Sequence, residues 1–395
     1  MAKIILKHKR EESILRYHPW IFSGAIAQIV GHPAEGDLVD VFTAEGEPIA
    51  CGHYQVGSIA VRILSFSGDP HSPDFWRERI SAAKALRDAT RPDDTNCYRL
   101  VHGEGDGLSG LVIDWYDGVC VLQAHSAGMF RAKKEICEAL REVFGEELRA
   151  VYDKSAQTAP FKAGLELIDG YLWKAPGDDA TETEVRENGH RFLVNWEEGQ
   201  KTGFFLDQRD NRALVERYAR GRNVLNLFCY TGGFSVYALA GGATHVDSVD
   251  SSARAMLLTK RNVALNCPEA ETMHEGFCED AIDFLGKSPE GKYGLIIVDP
   301  PAFAKHRGAL KNALRAYQRL NAAAISRVAP GGFVFTFSCS QVVDKETFAL
   351  TVFSAAAQTG RSVRILDRLG QGADHPVSIY HPEGEYLKGL LLYVE

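Results

Sequence analysis

The sequence predicts an α/β protein in which a C-terminal doubly wound parallel sheet follows a small β-barrel and a small α+β unit. Three observations carry this. From about Gln200 onward, short apolar strands alternate with segments of helical period, the rhythm of a parallel sheet with helices on its faces. Up to about Gly68 the chain holds short, alternating, β-branched runs separated by turns. Between these lies a strand–strand–helix–strand segment that matches neither pattern. A length of 395 residues suits two or three domains, with boundaries at 1–70, 73–185 and 190–395.

In the first segment AIAQIV, DLVDVF, EPIACGHY and IAVRILSF read as barrel strands, with EGD and AEGEP as turns. Pro70, His71, Ser72 and Pro73 read as a linker. A helix is expected over about 73–89, with Phe75, Ile80, Ala83 and Leu86 at helical spacing. Strands are expected at 110–114, 119–125 and 149–153, and a helix at about 130–144. The C-terminal half gives strands at 223–228, 245–250, 294–299 and 331–337. Its helices are expected at 234–240, 253–266, 312–328 and 345–359.

Composition narrows the function. With 45% hydrophobic and 24% charged residues the chain is an ordinary globular mixture. No run approaches the roughly 20 apolar residues of a membrane span, and Met1–Arg10 lacks the apolar core of a secretory signal. A cytoplasmic protein without membrane contact is the expectation. The eight cysteines include no CxxC, so no metal site is expected. A net charge of -8 argues against a protein that coats nucleic acid indiscriminately, but leaves room for a local basic face.

In a doubly wound sheet, ligands sit beyond the carboxyl ends of the strands. After NVLNLF comes the loop Cys229, Tyr230, Thr231, Gly232, Gly233. Its glycines allow a sharp turn and close approach to a ligand, although a plain strand-to-helix turn also wants glycine. The dinucleotide fingerprint GxGxxG is absent from this loop. Asp250 ends the next strand, 17 residues beyond Gly233, where an acid can accept the hydroxyls of a ribose or simply cap a helix. Asp280 can lie near an adenine, with a helix cap as the plain reading. Loop and acid together favour an adenosine-bearing cofactor.

The run GLIIV leads into Asp299, Pro300 and Pro301, with Phe303 close behind. Two prolines hold the chain extended and remove two N–H donors, presenting a carboxylate and carbonyls rigidly. A flat base can be gripped there, with Phe303 to stack on it. Cys339 follows GGFVFTFS. If consecutive strands are neighbours, Asp299 and Cys339 end strands about 4.8 Å apart, and a cysteine beside a carboxylate is a nucleophile candidate. The other seven cysteines read as structural. Lys305, Arg307, Lys311, Arg315 and Arg319 form a basic cluster suited to phosphate, or to a solvated helix face.

These motifs bring a family into view. HPWIFSGAI (18–26), YRLVHGEGDGLSGLVID (98–114), KTGFFLDQRDNR (201–212), NLFCYTGGFSV (226–236), VDPPAF (298–303), FTFSCS (335–340) and the stretch from ADHPV to PEGEYLKG (373–389) resemble the large-subunit ribosomal RNA cytosine-5 methyltransferase I family. The resemblance spans nearly the whole chain. It implies a PUA domain, an EEHEE middle domain and a Rossmann-like class I methyltransferase domain. It further implies S-adenosyl-L-methionine as cofactor and a cytosine of large-subunit ribosomal RNA as substrate. By the same resemblance Asp207 and Arg209 lie in the segment covering the cofactor. Tyr230, Thr231, Gly232 and Gly233 form the methionine-side loop, Asp250 is the ribose acid and Asp280 the adenine-side acid. Cys339 is the nucleophile. Pro300, Pro301, Phe303, Lys305 and Arg315 are expected on the substrate side. Many RNA cytosine-5 methyltransferases carry a second cysteine, used in product release, where this chain has Pro301. His375 is a weak candidate for proton handling, with packing in a loop as the plainer reading.

The implied chemistry is attack of Cys339 on carbon 6 of a base taken out of the stack, with Asp299 at the ring nitrogen. Lys3, Lys7, Lys9, Arg10 and Arg16 of the barrel can hold flanking RNA, tempered by Glu11 and Glu12. Methylation of a base nitrogen also uses Asp-Pro-Pro and an aromatic residue but needs no thiol. An RNA-binding factor that keeps the cofactor without catalysis, a uracil target and a nicotinamide oxidoreductase are the other readings. Exposed strands of the small domains leave a homodimer open.

Overall fold

The structure is a computed structural model that describes residues 2–67, 69–160, 163–269, 272–304 and 306–395. It divides into two compact units. The first comprises Met1–Thr183, Val194–Phe204 and Ala373–Gly384; the second comprises Glu184–Leu193, Phe205–Gly372 and Glu385–Glu395. Among the described residues, no helix is long and apolar enough to cross a membrane.

The first unit holds two sheets. One is built from β1 (Ala2–Leu6), β2 (Trp20–Phe22), β3 (Ile26–Val30), β4 (Leu38–Phe42), β5 (Pro48–Tyr54) and β6 (Ile59–Ser65), with the short helix α1 (Glu12–Leu15). Its order is β2-β6-β5-β4-β1-β3, and β1 runs parallel to β4. Val39 and Val41 point into the core while their neighbours stay half-exposed, the alternation expected of a half-buried strand. Ile4, Leu6, Val61 and Ile63 complete that core. The four strands expected here are present; β1 and β2 are additional, β1 lying in a lysine-bearing stretch that blurs the alternation.

The second sheet follows α2 (Phe75–Thr90). It contains β7 (Cys97–His102), β8 (Leu111–Tyr116), β9 (Val119–Ala124), β10 (Ala150–Asp153) and β11 (Gly170–Lys174), in the order β11-β10-β9-β8-β7. The single helix expected at about 130–144 is two, α3 (Ala127–Arg131) and α4 (Lys133–Phe144). Ser126 caps α3 by accepting from the Met129 N–H, and Ala132, with ψ near 1°, separates the two helices. β11 has no counterpart in the sequence pattern because all five of its residues are half-buried and show no alternation.

A hairpin of β12 (Glu182–Glu187) and β13 (His190–Asn195) contributes Glu184–Leu193 to the second unit. The unit continues with α5 (Arg209–Ala219), β14 (Asn223–Leu227), α6 (Gly233–Ala240), β15 (His245–Val249), α7 (Ala253–Asn266), β16 (His274–Phe277), α8 (Ala281–Lys287), β17 (Tyr293–Val298), α9 (Leu310–Arg327), β18 (Val328–Ser338), α10 (Lys345–Thr359), β19 (Val363–Leu369) and β20 (Lys388–Val394). The sheet order is β16-β15-β14-β17-β18-β20-β19. Five strands form the expected parallel, doubly wound sheet, and β20 is inserted antiparallel between β18 and β19 at one side of it. The chain after α10 returns as a hairpin-like pair, so no crossover helix separates β19 from β20 and none signals their presence.

Candidate active site

The five parallel strands deliver their carboxyl ends to one edge of the sheet, and strand order reverses between β14 and β17. Ligands of open α/β sheets bind at such a reversal. All residues described next belong to the second unit, except where the first is named.

The loop between β14 and α6 is tightly held. Phe228, Tyr230 and Gly232 have φ values of +59°, +47° and +77°. Such angles are uncommon without glycine and persist only where neighbours enforce them. Here the Tyr230 N–H donates to Asp250 Oδ2 (2.9 Å), the Thr259 hydroxyl donates to the Tyr230 carbonyl (2.8 Å), and Asn262 Nδ2 donates to the Thr231 carbonyl (2.8 Å). A Cβ on Gly232 would lie 2.7 Å from Thr259 Cγ2, so only glycine fits without displacement. α6 begins at Gly233 and leaves its first N–H groups at the loop.

Asp250 therefore braces the glycine loop, and its other oxygen accepts from the Ser252 N–H at 2.9 Å. The cap of α7 is Ser252 itself. Asp280 is exposed and does cap its helix, accepting from the N–H groups of Ile282 and Asp283. Asp207 comes from a short 3-10 turn before α5. Its Oδ2 accepts from the Tyr386 hydroxyl at 2.6 Å, while Oδ1 is buried with no hydrogen-bond partner among the described residues. Arg209, the first residue of α5, is buried with its Nε on Asp210. The Phe205 ring packs edge-on to Tyr230 at 5.2 Å, bringing this segment onto the glycine loop.

β17 and β18 pair in parallel, with Val298 opposite Thr336, so Asp299 and Cys339 do end adjacent strands at the same edge. Asp299 is half-buried and accepts from Gln208 Nε2 at 3.1 Å. Burial and, secondarily, the negative charge of Asp207 push its pKa up to about 7, against the Gln208 hydrogen bond and the Arg212 charge. Pro300 is buried and Pro301 exposed. Phe303 is half-buried with its ring 4.7 Å from that of Tyr317, an arrangement that packs it on the core.

Cys339 is half-buried in a turn built from below. Tyr317 of α9 is fully buried, and its hydroxyl bonds the hydroxyls of Ser338 (2.9 Å) and Ser340 (3.1 Å) on either side of the cysteine. Ser340 Oγ also accepts from the Ala304 N–H at 3.4 Å, tying the Asp-Pro-Pro loop to the cysteine turn. Of the remaining cysteines, Cys278 is exposed, with its Sγ donating to the Ser251 carbonyl at 3.6 Å. Arg315 lies with Lys311 and Arg319 on the exposed face of α9. Lys305 lies outside the described residues.

Gln208, Arg212, Tyr317 and Lys388 carry no signal of their own in the sequence. Arg212 donates to Phe205 O and, through two bonds of 2.7 and 2.6 Å, to the buried Glu187 on β12, which anchors α5. Glu187 belongs to no motif. Gln208, Arg212 and Lys388 lie within motifs of the family but have no role assigned by the resemblance.

The first unit has a cavity of about 750 Å³ lined by Lys9, Arg10, Arg16 and Glu12 together with Phe22 and Tyr380. The two aromatic residues are about half exposed, at 49% and 52%. His375 is buried in this unit against His102 and Asp374, a packing position.

Residues 98–383 match the S-adenosylmethionine-dependent methyltransferase family, and residues 4–66 match a PUA-like domain. The ribosomal RNA large subunit methyltransferase I of Alteromonas mediterranea is 39% identical over 406 residues, covering 100% of this chain and 99% of that one. The protein of the same name from Pseudoalteromonas atlantica is 40% identical over 399 residues, with 100% and 99% covered. The chain belongs to the ribosomal RNA large subunit methyltransferase I family. Its cofactor is S-adenosyl-L-methionine. A crystal structure of a methyltransferase complexed with SAH superposes over 100% of both chains with a TM-score of 0.84 at 22% identity, which establishes the shared fold.

The residues present fit that cofactor. The glycine loop offers N–H groups at a helix start without an obstructing Cβ. Asp250 ends the second strand beside that loop, and among the described residues Asp207 Oδ1 is a buried carboxylate oxygen without a donor.

Proposed function

We propose that this protein methylates carbon 5 of a cytosine in large-subunit (23S) ribosomal RNA, in the cytoplasm, through a covalent bond to Cys339. The observation that carries the reading is the pairing at the sheet edge. Asp299 and a turn-mounted Cys339 end adjacent parallel strands beside the cofactor loop. A nitrogen target would use the carboxylate and the Asp-Pro-Pro loop but would give no task to a cysteine fixed on both sides by Tyr317.

Asp207, Arg209, the glycine loop and Asp250 hold the cofactor, with Asp280 on the adenine side. The bound cofactor supplies an electrophilic methyl group. Asp299, largely able to carry a proton near neutral pH, donates it to ring nitrogen 3 while Cys339 Sγ bonds to carbon 6. The electron pair of the 5,6 double bond becomes available at carbon 5, which is where the base is methylated. Carbon 5 then gives its proton to solvent water, the pair of that C–H bond re-forms the 5,6 double bond as the C6–S pair returns to Cys339 Sγ, and ring nitrogen 3 returns its proton to Asp299. Pro300, Pro301 and Phe303 form the rigid wall of the base site. Arg315 and Lys305 serve the phosphates. The basic and aromatic cavity of the first unit suits a neighbouring single-stranded nucleotide, ring against ring and phosphate against Lys9, Arg10 and Arg16.

Nuclease digestion of 23S RNA treated with the enzyme, followed by mass spectrometry of the nucleosides, tests the reading. 5-Methylcytidine is expected; an N-methylated nucleoside in its place refutes it.

A further inference from the structure

The cysteine turn has a second support, on the side away from Tyr317. The antiparallel register of β18 and β20 sets Lys388 opposite Ser338, the residue before Cys339. Lys388 is only 4% exposed. Its ammonium donates to the Ser340 carbonyl at 2.7 Å and to the Val343 carbonyl at 2.6 Å, both in the segment that follows the cysteine. It makes no ion pair with a carboxylate among the described residues. A buried ammonium without an anionic partner is expensive to keep.

The anions within reach are few. Asp344 is occupied as the cap of α10, accepting from the N–H and hydroxyl of Thr347. Glu385 is paired with Lys345. The Tyr317 hydroxyl faces the turn from α9 and is neutral. That leaves the sulfur of Cys339.

We infer that Lys388 is a positioning residue that holds Cys339 as a thiolate, its ammonium fixing the turn from Ser340 to Val343 and supplying the counter-charge to the sulfur. The inference rests on Cys339 being the nucleophile of the reaction above. It supplies what that reaction requires, since the thiolate and not the thiol attacks. The titration of Lys388 agrees. Burial pushes its pKa down to about 8, and Cys339 is the strongest of the influences that oppose the fall, ahead of Asp344 and Glu385. Attraction between an ammonium and a thiolate is mutual, so the coupling is readable from either partner.

The test is the pH dependence of iodoacetamide alkylation at Cys339, followed by peptide mass spectrometry in the full-length protein, its Lys388→Met variant and its Lys388→Arg variant. Calorimetric binding of S-adenosylmethionine serves as the check of folding. The alkylation midpoint of Lys388→Met is expected at least one pH unit above the parent, a roughly tenfold loss of thiolate at neutral pH. Lys388→Arg, which keeps the charge, stays nearer the parent. An unchanged midpoint in a Lys388→Met protein that still binds the cofactor overturns the inference. If Lys388→Met does not fold, Cys339→Ala reads the same coupling from the other side. Its loss of thermal stability relative to the parent should be larger at pH 7, where Lys388 is charged, than at pH 10, where it is neutral. A pH-independent difference overturns the inference. Failure of the cytosine reading looks different: it is seen as methyl on a nitrogen, or as full turnover in Cys339→Ala, in the nucleoside products, whatever shift the alkylation midpoints show.

Discussion

Gln208 Nε2 donates to Asp299 Oδ2 at 3.1 Å, fastening the turn that opens α5 to the tip of β17. Gln208 is itself oriented by Asn211, whose Nδ2 donates to Gln208 Oε1 at 2.6 Å. Neighbouring residues of one turn therefore act on the same carboxyl in opposite senses. Asp207 raises its proton affinity by charge and Gln208 lowers it by hydrogen bonding, with burial deciding the outcome at about 7. A carboxyl poised there can give a proton at neutral pH and take it back.

The first prediction follows from that balance. Because the folded pKa of Asp299 is raised above its ordinary value, the group favours the folded state fully at acidic pH, and the benefit is lost as pH rises through about 7. Asp299→Asn should therefore gain stability over the parent between pH 5 and pH 8, by on the order of 1–2 kcal/mol once partial exposure is allowed for. It should also lose about 10²–10³ in kcat. Thermal melts at several pH values, with methyl-transfer assays, check both. A stability difference that does not change with pH contradicts the assignment.

A second prediction concerns the anchor of α5. Arg212 and Glu187 are both buried and joined by two hydrogen bonds, with the Tyr237 hydroxyl also donating to Glu187 Oε1 at 3.0 Å. Burial works against the Arg212 charge, yet Glu187 holds its pKa above the usual value. Glu187→Ala leaves that charge uncompensated and should lower stability by about 3–5 kcal/mol. Urea unfolding measures this; an unshifted midpoint counts against it.

Gly232 gives a third. An alanine there must adopt φ near +77° and displace Thr259, whose hydroxyl holds the Tyr230 carbonyl. Gly232→Ala should weaken S-adenosylmethionine binding at least about tenfold, with about 1 kcal/mol lost in stability from the backbone alone. Calorimetry would expose the error if affinity were unchanged.

For the PUA-like domain, reversing Lys9, Arg10 and Arg16 to glutamate should reduce RNA affinity and flatten its salt dependence. The slope of log K against log salt should fall by about 0.7 for each phosphate that the domain no longer neutralises. Cofactor affinity should stay as it was. An undiminished salt slope would show that the RNA lies elsewhere.

Much of this architecture is legible in the sequence, and the failures have physical causes. α7 and α10 fall at the expected residues because their helical period and serine or aspartate caps agree. The sheet edge bearing Asp250, Asp299 and Cys339 is legible because parallel strands that are buried on both faces read as continuous apolar runs. β19 and β20 are not, since the exposed Ile365 and Leu366 on β19 mimic neither a buried run nor an alternation. Nor is the support of the site. Glu187, Tyr317 and Lys388 reach it from elements remote in sequence, and a lone buried glutamate, tyrosine or lysine carries no local pattern. Asp280 shows the reverse case, where one residue type serves a cap and a ligand equally well and sequence offers no choice between them.

The central claim is that Cys339 bonds to the base it methylates. The most direct measurement combines the parent protein and Cys339→Ala with substrate RNA containing 5-fluorocytidine, whose carbon 5 has no proton to lose. On a denaturing gel the parent should form a protein–RNA adduct that survives denaturation, and Cys339→Ala should form none and show no turnover on ordinary RNA. Methyl transfer by Cys339→Ala at the parent's rate, with no adduct from either protein, would contradict the account.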